Sequence, residues 1–301
     1  MKIFLFMCVL AAMLWTGGTP SAQETSADKL VSRVIEDGGS GAYSAIMLAE
    51  SSLPTHTIFR PKDLTVFDQD HKLPVIAWGN GACANSPWEH LNFLSEVSSH
   101  GFLIVAIGLM PEEGKKGDGK STSKQLTDGI DWAIAQNKDP KSPYNNRLDV
   151  SKIAVSGMSC GGLQALEVAS DARVSTVVIC NSGILDVPGN GRSAMPDLKK
   201  ENLNEIHTPI LYMLGGEKDI AYANGMDDYK RINHVPVFMA NMDVGHGGTF
   251  SQPHGGEFAK VATAWYKWQL KGDSEAGKMF SGDAPLLSKN THWRMEKKNM
   301  P

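Results

Sequence analysis

The strongest indication of the fold is the segment Ile153-Ala-Val-Ser-Gly157-Met-Ser159-Cys-Gly161-Gly162. It begins as an apolar run, ends in a segment of helical pattern, and carries Gly-x-Ser-x-Gly where the two meet. In a sharp strand-to-helix turn, glycines two residues before and after the serine let the strand and the helix approach without a clashing Cβ atom. The motif predicts that Ser159 stands on such a turn with its hydroxyl above a sheet. A glycine-rich turn without a chemical role has the same spacing.

Apolar runs and helical patterns alternate on both sides of this turn. Strands are predicted at residues 73–78, 102–107, 153–155, 174–179, 210–214 and 235–240, and helices at 88–100, 121–137, 162–169 and 258–270. Residues 24–55 are predicted to form an irregular lead-in. Strands that are apolar throughout and alternate with helices are typical of an α/β fold, with a mostly parallel central sheet and helices on both faces.

Composition and charge exclude several classes of function. The 301 residues carry a net charge of −4, and the lysine pairs are scattered, so no basic surface for nucleic acid is indicated. The chain has no zinc-ligand spacing, no P-loop and no dinucleotide fingerprint. We therefore expect no metal, no organic cofactor and no nucleic-acid partner. The oligomeric state is not indicated.

The first residues have the pattern of a secretory signal peptide. Lys2 precedes an apolar run at residues 3–15, and small residues follow it. This run is shorter than the roughly 20 residues of a membrane span. We predict a signal peptide at residues 1–22, cleaved between Gly18 and Gln23, followed by one catalytic domain at residues 23–301. The mature protein is then secreted or periplasmic and has no membrane span.

The cysteines fit an exported protein. Removal of the signal peptide removes Cys8 and leaves Cys83, Cys160 and Cys180. Exported proteins fold in an oxidising compartment, where disulfides form and persist. Three cysteines predict one disulfide and one free thiol, with three possible pairs.

Two side chains further along the chain are the predicted partners of Ser159. A serine hydroxyl is a weak nucleophile at neutral pH and needs a histidine base that a carboxylate orients. On this architecture the chain order is serine, acid, histidine. Asp219 follows the predicted strand at 210–214, and His246, between two glycines, follows the strand at 235–240. The carboxyl ends of parallel strands meet at one edge of a sheet, so we predict that the three side chains meet there.

Other residues compete for these roles. Glu217 and Asp243 are alternative carboxylates, and Asp243 lies three residues before His246. His254 is the nearest alternative base, although its setting is also that of an ordinary loop histidine.

A site of this kind also needs two hydrogen-bond donors for the negative charge of the transition state. The backbone N–H of Cys160, at the start of the predicted helix, is the first predicted donor. The second is predicted in the glycine-rich loop after the strand at 73–78, where the N–H of Ala82 is preferred and that of Gly81 is the alternative.

The predicted substrate-binding residues lie beside these motifs. They are Gly81, Trp88, Met158 and Tyr222. Apolar side chains around a few polar groups are typical of ligand pockets, although core packing explains a tryptophan or a tyrosine equally well.

Four motifs together carry a resemblance to a known family: the turn around Ser159, Gly215-Gly-Glu-Lys-Asp219-Ile-Ala-Tyr222, Gly245-His246-Gly-Gly248 and Trp265-Tyr-Lys-Trp268-Gln-Leu-Lys-Gly-Asp273. They resemble secreted α/β-hydrolases of the dienelactone-hydrolase-like and polyester-hydrolase-like, cutinase-type group, from about residue 55 to the C-terminus. The resemblance implies an α/β-hydrolase fold and a serine carboxylic-ester hydrolase with a Ser-His-Asp triad and an acyl-enzyme intermediate. The implied substrate is a small-molecule or polymer-derived ester. Amide or peptide hydrolysis, acyl transfer and a catalytically inactive binding module are the alternatives.

The sequence departs from this group at several positions. Dienelactone hydrolases have a cysteine nucleophile where this chain has Ser159, and polyester hydrolases usually have an aromatic residue where it has Ala82. Cys160 stands where methionine or glutamine is frequent. With Cys83 in the facing oxyanion loop, we expect a Cys83–Cys160 disulfide that joins both halves of the oxyanion hole, and Cys180 as a buried free thiol. Three unpaired cysteines are the alternative.

Overall fold

The structure is a computed structural model, and it describes residues 32–34, 38–111, 117–186 and 195–301. The predicted signal peptide at residues 1–22 lies outside the described residues. Within the described ranges, no helix is both long enough and apolar enough to cross a bilayer.

Ten strands form one sheet that is parallel at its centre and antiparallel at its ends. They are β1 (Ser32–Val34), β2 (Ala45–Ala49), β3 (His56–Pro61), β4 (Leu73–Gly79), β5 (Leu103–Ile107), β6 (Leu148–Met158), β7 (Val174–Cys180), β8 (Ile210–Leu214), β9 (Val237–Met242) and β10 (Trp293–Lys298). Their order in the sheet is β1-β2-β3-β5-β4-β6-β7-β8-β9-β10. The strands from β5 to β9 in this order run parallel. The antiparallel pairs are β1–β2, β2–β3, β3–β5 and β9–β10.

Helices cover both faces of this sheet. They are α1 (Leu91–Ser99), α2 (Lys124–Lys138), α3 (Cys160–Glu167), α4 (Tyr222–Arg231), α5 (Gly256–Lys271) and the short α6 (Ser274–Gly277). Buried side chains of α2, α3 and α4 join one hydrophobic cluster, and those of α1 and α5 join a second. In β4, Val75 and Ala77 belong to the first cluster and Ile76 and Trp78 to the second. Successive side chains of a strand point to opposite faces, so the apolar runs belong to a sheet buried on both sides. The predicted α/β fold class is confirmed.

The structure also contains elements that the sequence patterns do not predict. The expected irregular lead-in at residues 24–55 is wrong for Ser32–Val34 and Ala45–Ala49, which form β1 and β2. Strand β10, with the sequence Trp-Arg-Met-Glu-Lys-Lys, pairs along its whole length with β9. An edge strand of this kind needs no continuous apolar run, and charged residues on it discourage pairing with other chains. Helix α4 has few apolar residues but buries Asp228 and Tyr229, so tertiary contacts stabilise it.

Candidate active site

Ser159 lies at the turn between β6 and α3, at the carboxyl edge of the sheet. Its backbone has φ 53° and ψ −118°, a conformation that side-chain-bearing residues rarely adopt. Such strained positions are held only where the surrounding structure determines them, and they cluster at functional sites. The turn has the strand–turn–helix context that the Gly-x-Ser-x-Gly motif predicts.

Two glycines permit the close contact that holds this turn. A Cβ atom on Gly157 would lie 2.3 Å from the carbonyl carbon of Gly161, and one on Gly161 would lie 2.1 Å from the carbonyl carbon of Gly79. Any side chain at these positions would push α3 away from β4 and β6. The glycine spacing therefore reflects backbone-to-backbone packing beneath the serine.

Ser159, His246 and Asp219 form one hydrogen-bonded chain. The Ser159 Oγ lies 2.9 Å from His246 Nε2, and His246 Nδ1 lies 2.5 Å from Asp219 Oδ1. With the imidazole protonated on Nδ1, that nitrogen donates to the carboxylate and Nε2 accepts from the serine hydroxyl. The Asp219 side chain is fully buried, whereas 29% of the His246 side chain is exposed. The imidazole thus faces the solvent-accessible side of the site and the carboxylate lies behind it.

Several donors surround the Asp219 carboxylate. The backbone N–H of Ala221 donates to Oδ1 at 2.9 Å, and that of Gly215 donates to Oδ2 at 3.1 Å. Burial opposes the charged form of Asp219, but hydrogen bonds from His246, Ala221 and Asn181 outweigh it and hold the pKa of the carboxyl below its usual range. The carboxylate is therefore charged at neutral pH, as an orienting partner for an imidazole must be.

Asn181 belongs to this site and was missed by the sequence analysis. It follows β7 directly, is fully buried and has a φ of 45°. Its side-chain Nδ2 donates to Asp219 Oδ2 at 2.9 Å and to the carbonyl oxygen of Gly245 at 3.1 Å. One amide group thus connects the loop that carries Asp219 with the loop that carries His246. The available signal was its position, since a polar residue ending a buried parallel strand lies at the functional edge of the sheet.

The competing side chains make contacts elsewhere. Asp243 forms a two-pronged ion pair with Arg294 on the surface. Glu217 lies on a different cavity beside that pair. His254 Nδ1 lies 3.1 Å from Glu96 Oε2. In the described part of the chain, none of these three side chains forms a hydrogen bond with Ser159 or His246.

The loop after β4 has an unusual backbone, which nearby side chains support. Ala82 and Cys83 have φ values of 55° and 50°. The Asn80 amide donates to the carbonyl oxygen of Ala84 at 3.0 Å and to that of Ile107 at 2.6 Å. Positive φ values cost conformational energy for residues with a Cβ atom, so this loop persists through its contacts.

The chain segment before α2 supports the same loop from its outer side. Lys120 Nζ donates to the carbonyl oxygen of Ala82 at 2.8 Å. Ser121 donates from both its N–H, at 2.9 Å, and its hydroxyl, at 3.1 Å, to the carbonyl oxygen of Cys83. The buried Gln164 of α3 in turn donates to the Ser121 hydroxyl at 3.0 Å. The loop after β4 is thus fastened to α3 through side-chain hydrogen bonds.

A covalent bond makes a second connection between the same elements. Cys83 and Cys160 form a disulfide, with Cα atoms 5.1 Å apart, and Cys180 is a buried free thiol. Burial raises the pKa of the Cys180 thiol far above its usual range, so it is an unreactive thiol. The disulfide expected from the resemblance is confirmed among the three possible pairs. It joins the loop after β4 to the residue that follows Ser159.

A cleft of about 560 Å³ opens at this site. Its lining includes six of the predicted residues: Gly81, Ala82, Met158, Ser159, Cys160 and His246. It also includes four residues that the sequence analysis did not select: Glu89, Lys120, Met195 and Ile220. Ile220 follows Asp219 and is 80% exposed, so an isoleucine in a polar loop was the missed signal. Among the described residues, no group of three histidine, cysteine or acidic side chains is arranged to hold a metal ion.

Two predicted substrate-binding residues are absent from this lining. Trp88 is half-buried in a short 3₁₀ turn before α1. Tyr222 starts α4 and packs against the first hydrophobic cluster. Tyr222 therefore has the packing contacts that were its alternative, and Trp88 is partly buried.

The disulfide is expected to stabilise the whole fold. It closes a loop over a sequence separation of 77, and a disulfide typically contributes about 2–4 kcal/mol to the stability of a protein. We expect the double variant Cys83→Ser/Cys160→Ser to lower the free energy of unfolding by about 3 kcal/mol. Urea unfolding, followed by tryptophan fluorescence, measures this difference.

The matched control is reductant. Dithiothreitol should lower the unfolding free energy of the wild type and leave the double variant unchanged, since Cys180 has no partner to lose. A wild type whose denatured, unreduced form shows three reactive thiols would contradict the disulfide.

Comparison with models of known protein families gives a match. A family model described as PETase, PET hydrolase-like, matches residues 70–291. That range contains the loop after β4, the turn at Ser159 and both loops that carry Asp219 and His246. A search of curated proteins finds no match.

Proposed function

The chain belongs to the PET hydrolase-like family of ester hydrolases in the α/β-hydrolase superfamily, and on this premise we propose that it cleaves carboxylic esters with Ser159, His246 and Asp219 through an acyl-enzyme. The observation that carries the proposal is the continuous hydrogen-bonded chain from Ser159 Oγ to the buried carboxylate. Without such a chain the serine hydroxyl is a poor nucleophile at neutral pH.

In the proposed first step, Ser159 Oγ attacks the ester carbonyl carbon and His246 Nε2 takes the hydroxyl proton. The C–O bond of the ester then breaks, and the imidazolium returns the proton to the leaving alcohol. Asp219 holds Nδ1 protonated and stabilises the imidazolium in between. Water repeats the sequence on the acyl-enzyme, which releases the carboxylic acid and restores Ser159.

We propose the backbone N–H groups of Ala82 and Cys160 as the oxyanion donors. Both residues line the cleft beside Ser159, and the disulfide and the Ser121 hydrogen bonds hold the loop of Ala82 against the start of α3. Preorganised donors of this kind stabilise the charge that develops on the carbonyl oxygen, and each contributes about 3 kcal/mol in studied enzymes.

We also propose that residues 23–301 form one exported catalytic domain. The participation of all ten described strands in one sheet supports a single domain. The disulfide supports an oxidising compartment, either outside the cell or in the periplasm.

Covalent labelling tests the proposed mechanism. A fluorophosphonate, which reacts with activated serines, should add one phosphonyl group to the wild type. Peptide mass spectrometry should place it on Ser159. Ser156, which is buried in β6 and donates to the carbonyl oxygen of Val178, is the internal control and should stay unlabelled.

Substrate assays test the reaction. We expect turnover of 4-nitrophenyl acyl esters and at least 100-fold slower turnover of the matched 4-nitroanilides. Turnover of no ester at all would contradict ester hydrolysis, and faster anilide cleavage would favour amide hydrolysis instead.

Asn181→Asp is expected to lower kcat/KM for an ester by about 10- to 100-fold. The change removes two hydrogen bonds to oxygen, one of them to a carboxylate, and bonds to charged groups contribute about 1.5–3 kcal/mol each. It also adds a negative charge beside Asp219, which stabilises the protonated imidazole. The acid limb of the pH profile of kcat/KM should therefore move to higher pH, which a purely structural defect would not cause.

Asn146→Asp is the matched control for this variant. Asn146 also has a positive φ, of 56°. It is exposed, and its side chain donates to Asn145, which does not belong to the proposed triad. Its activity and pH profile should match the wild type. An Asn181→Asp enzyme with an unshifted acid limb would contradict a positioning role for Asn181.

A further inference from the structure

The cleft beside Ser159 combines apolar walls with one lysine. Met158, Met195 and Ile220 supply apolar side chains, and Lys120 lies on the same lining. We infer that the preferred esters carry a free carboxylate, which binds Lys120 while the ester carbonyl lies at Ser159. This inference rests on the proposed function and names a substrate class for the same site.

Lys120 is held close to the proposed oxyanion loop. Its Nζ donates to the carbonyl oxygen of Ala82 at 2.8 Å, and its backbone pairs with Ala84 in an isolated β-bridge. An ammonium has three N–H donors, so two remain for a ligand after the bond to Ala82. The ammonium is thus positioned next to a residue that also lines the reacting end of the cleft.

No contact with a described residue neutralises the charge of Lys120. Among the described residues, no carboxylate lies within ion-pair distance of its Nζ, and the carbonyl group that it contacts is uncharged. By contrast, neighbouring Lys124 is paired with Asp128. An unneutralised cation at the mouth of a cleft with low-dielectric walls attracts anions and gains from a charge-assisted hydrogen bond.

The apolar walls determine what connects the two ends of the substrate. Among the described residues, the lining contains two methionines and an isoleucine but no phenylalanine, tyrosine or tryptophan. Methionine side chains are flexible and adapt to irregular shapes. A chain of methylene groups between the ester and the carboxylate fits these walls, so the inferred class is the half-ester of an aliphatic dicarboxylic acid or the acidic end of an aliphatic oligoester.

Glu89 lies on the same lining and is the carboxylate that an anionic substrate must avoid. Glu89 also has an interaction of its own. Like charges repel, and the substrate carboxylate is therefore expected on the Lys120 side of the cleft. Removing the Glu89 charge should strengthen the preference for anionic esters.

Three substrates of matched length test the inference. They are 4-nitrophenyl hexanoate, the 4-nitrophenyl half-ester of adipic acid, and 4-nitrophenyl methyl adipate, in which a methyl ester masks the carboxylate. The wild type should have about tenfold higher kcat/KM for the half-ester than for either neutral ester, mainly through a lower KM. The preference should shrink as salt rises, because salt screens exposed charges.

Variants assign the preference to one side chain. Lys120→Met should remove it, Lys120→Arg should keep it, and Glu89→Gln should increase it. Lys124→Met is the matched control and should leave both the preference and the activity unchanged, since Lys124 is absent from the lining.

The possible failures are distinguishable. If the wild type has the same kcat/KM for the neutral esters as for the half-ester, the carboxylate inference is overturned and the proposed function stays intact. An equal loss on all three substrates in Lys120→Met also overturns it, because Lys120 would then only support the loop of Ala82. If none of the three esters is hydrolysed, the proposed function itself fails.

Discussion

We expect replacement of Ser159 by alanine to lower kcat/KM for a 4-nitrophenyl ester by about 10⁴- to 10⁶-fold, the range found when a catalytic serine is removed from studied hydrolases. The change deletes the proposed attacking oxygen, and the 2.5 Å contact between Asp219 and His246 does not involve Ser159. Alanine keeps a Cβ atom at this φ of 53°, so the strain of the turn is unchanged. Steady-state rates at saturating and limiting ester measure the loss.

Two controls separate this effect from unfolding. The variant should unfold at the same urea concentration as the wild type within error, and its disulfide should still form. The fluorophosphonate label should also disappear from the variant. Activity within tenfold of the wild type would contradict the role of Ser159 as nucleophile.

Replacing Asp219 by asparagine is the second large change, with an expected loss in kcat of about 10⁴-fold. The neutral amide no longer stabilises the imidazolium that forms when His246 takes the serine proton. It can also donate a hydrogen bond to Nδ1, which favours the tautomer with the proton on Nε2, where it blocks acceptance from Ser159. The KM should change much less than kcat, since Asp219 is buried and does not line the cleft.

Asp243→Asn is the matched control. It makes the same chemical change three residues from His246, but Asp243 is exposed and paired with Arg294. Exposed ion pairs contribute about 0.2–1 kcal/mol, so activity should stay within about twofold of the wild type. The opposite ranking of the two variants would show that Asp243, and not Asp219, is the carboxylate of the triad.

Much of the fold was predictable because its signals are local. An apolar run marks the strand at 73–78, and the spacing of two glycines marks the turn at Ser159. Both signals lie within a few neighbouring residues. Strand β10 and helix α4 were not predictable from pattern. Their sequences are polar, and β10 is stabilised by pairing with β9, whose residues lie some 50 positions earlier in the chain, for example Arg294 opposite Asn241.

The residues of the candidate site also divide into those with a local signal in the sequence and those that depend on distant contacts. His246 and Asp219 were predictable from chain order and strand ends. The position of Asn181 indicated only that it lies at the same edge of the sheet, because its role depends on contacts with Asp219 and Gly245, 38 and 64 residues away. Lys120 and Ile220 were missed for a related reason. Whether a side chain faces a cleft or open solvent depends on how distant loops come together.

The sequence alone established that a serine lies between a strand and a helix and that an acid and a histidine follow in order at later strand ends. These conclusions rest on the conformational freedom of glycine and on the common direction of parallel strands, which do not depend on distant contacts. The carboxylate that reaches His246, the Cys83–Cys160 pair and the place of Lys120 beside the cleft became evident from the folded chain. The reason is distance: Ser159 and His246 are 87 residues apart in the chain, and only the folded sheet brings their side chains to 2.9 Å.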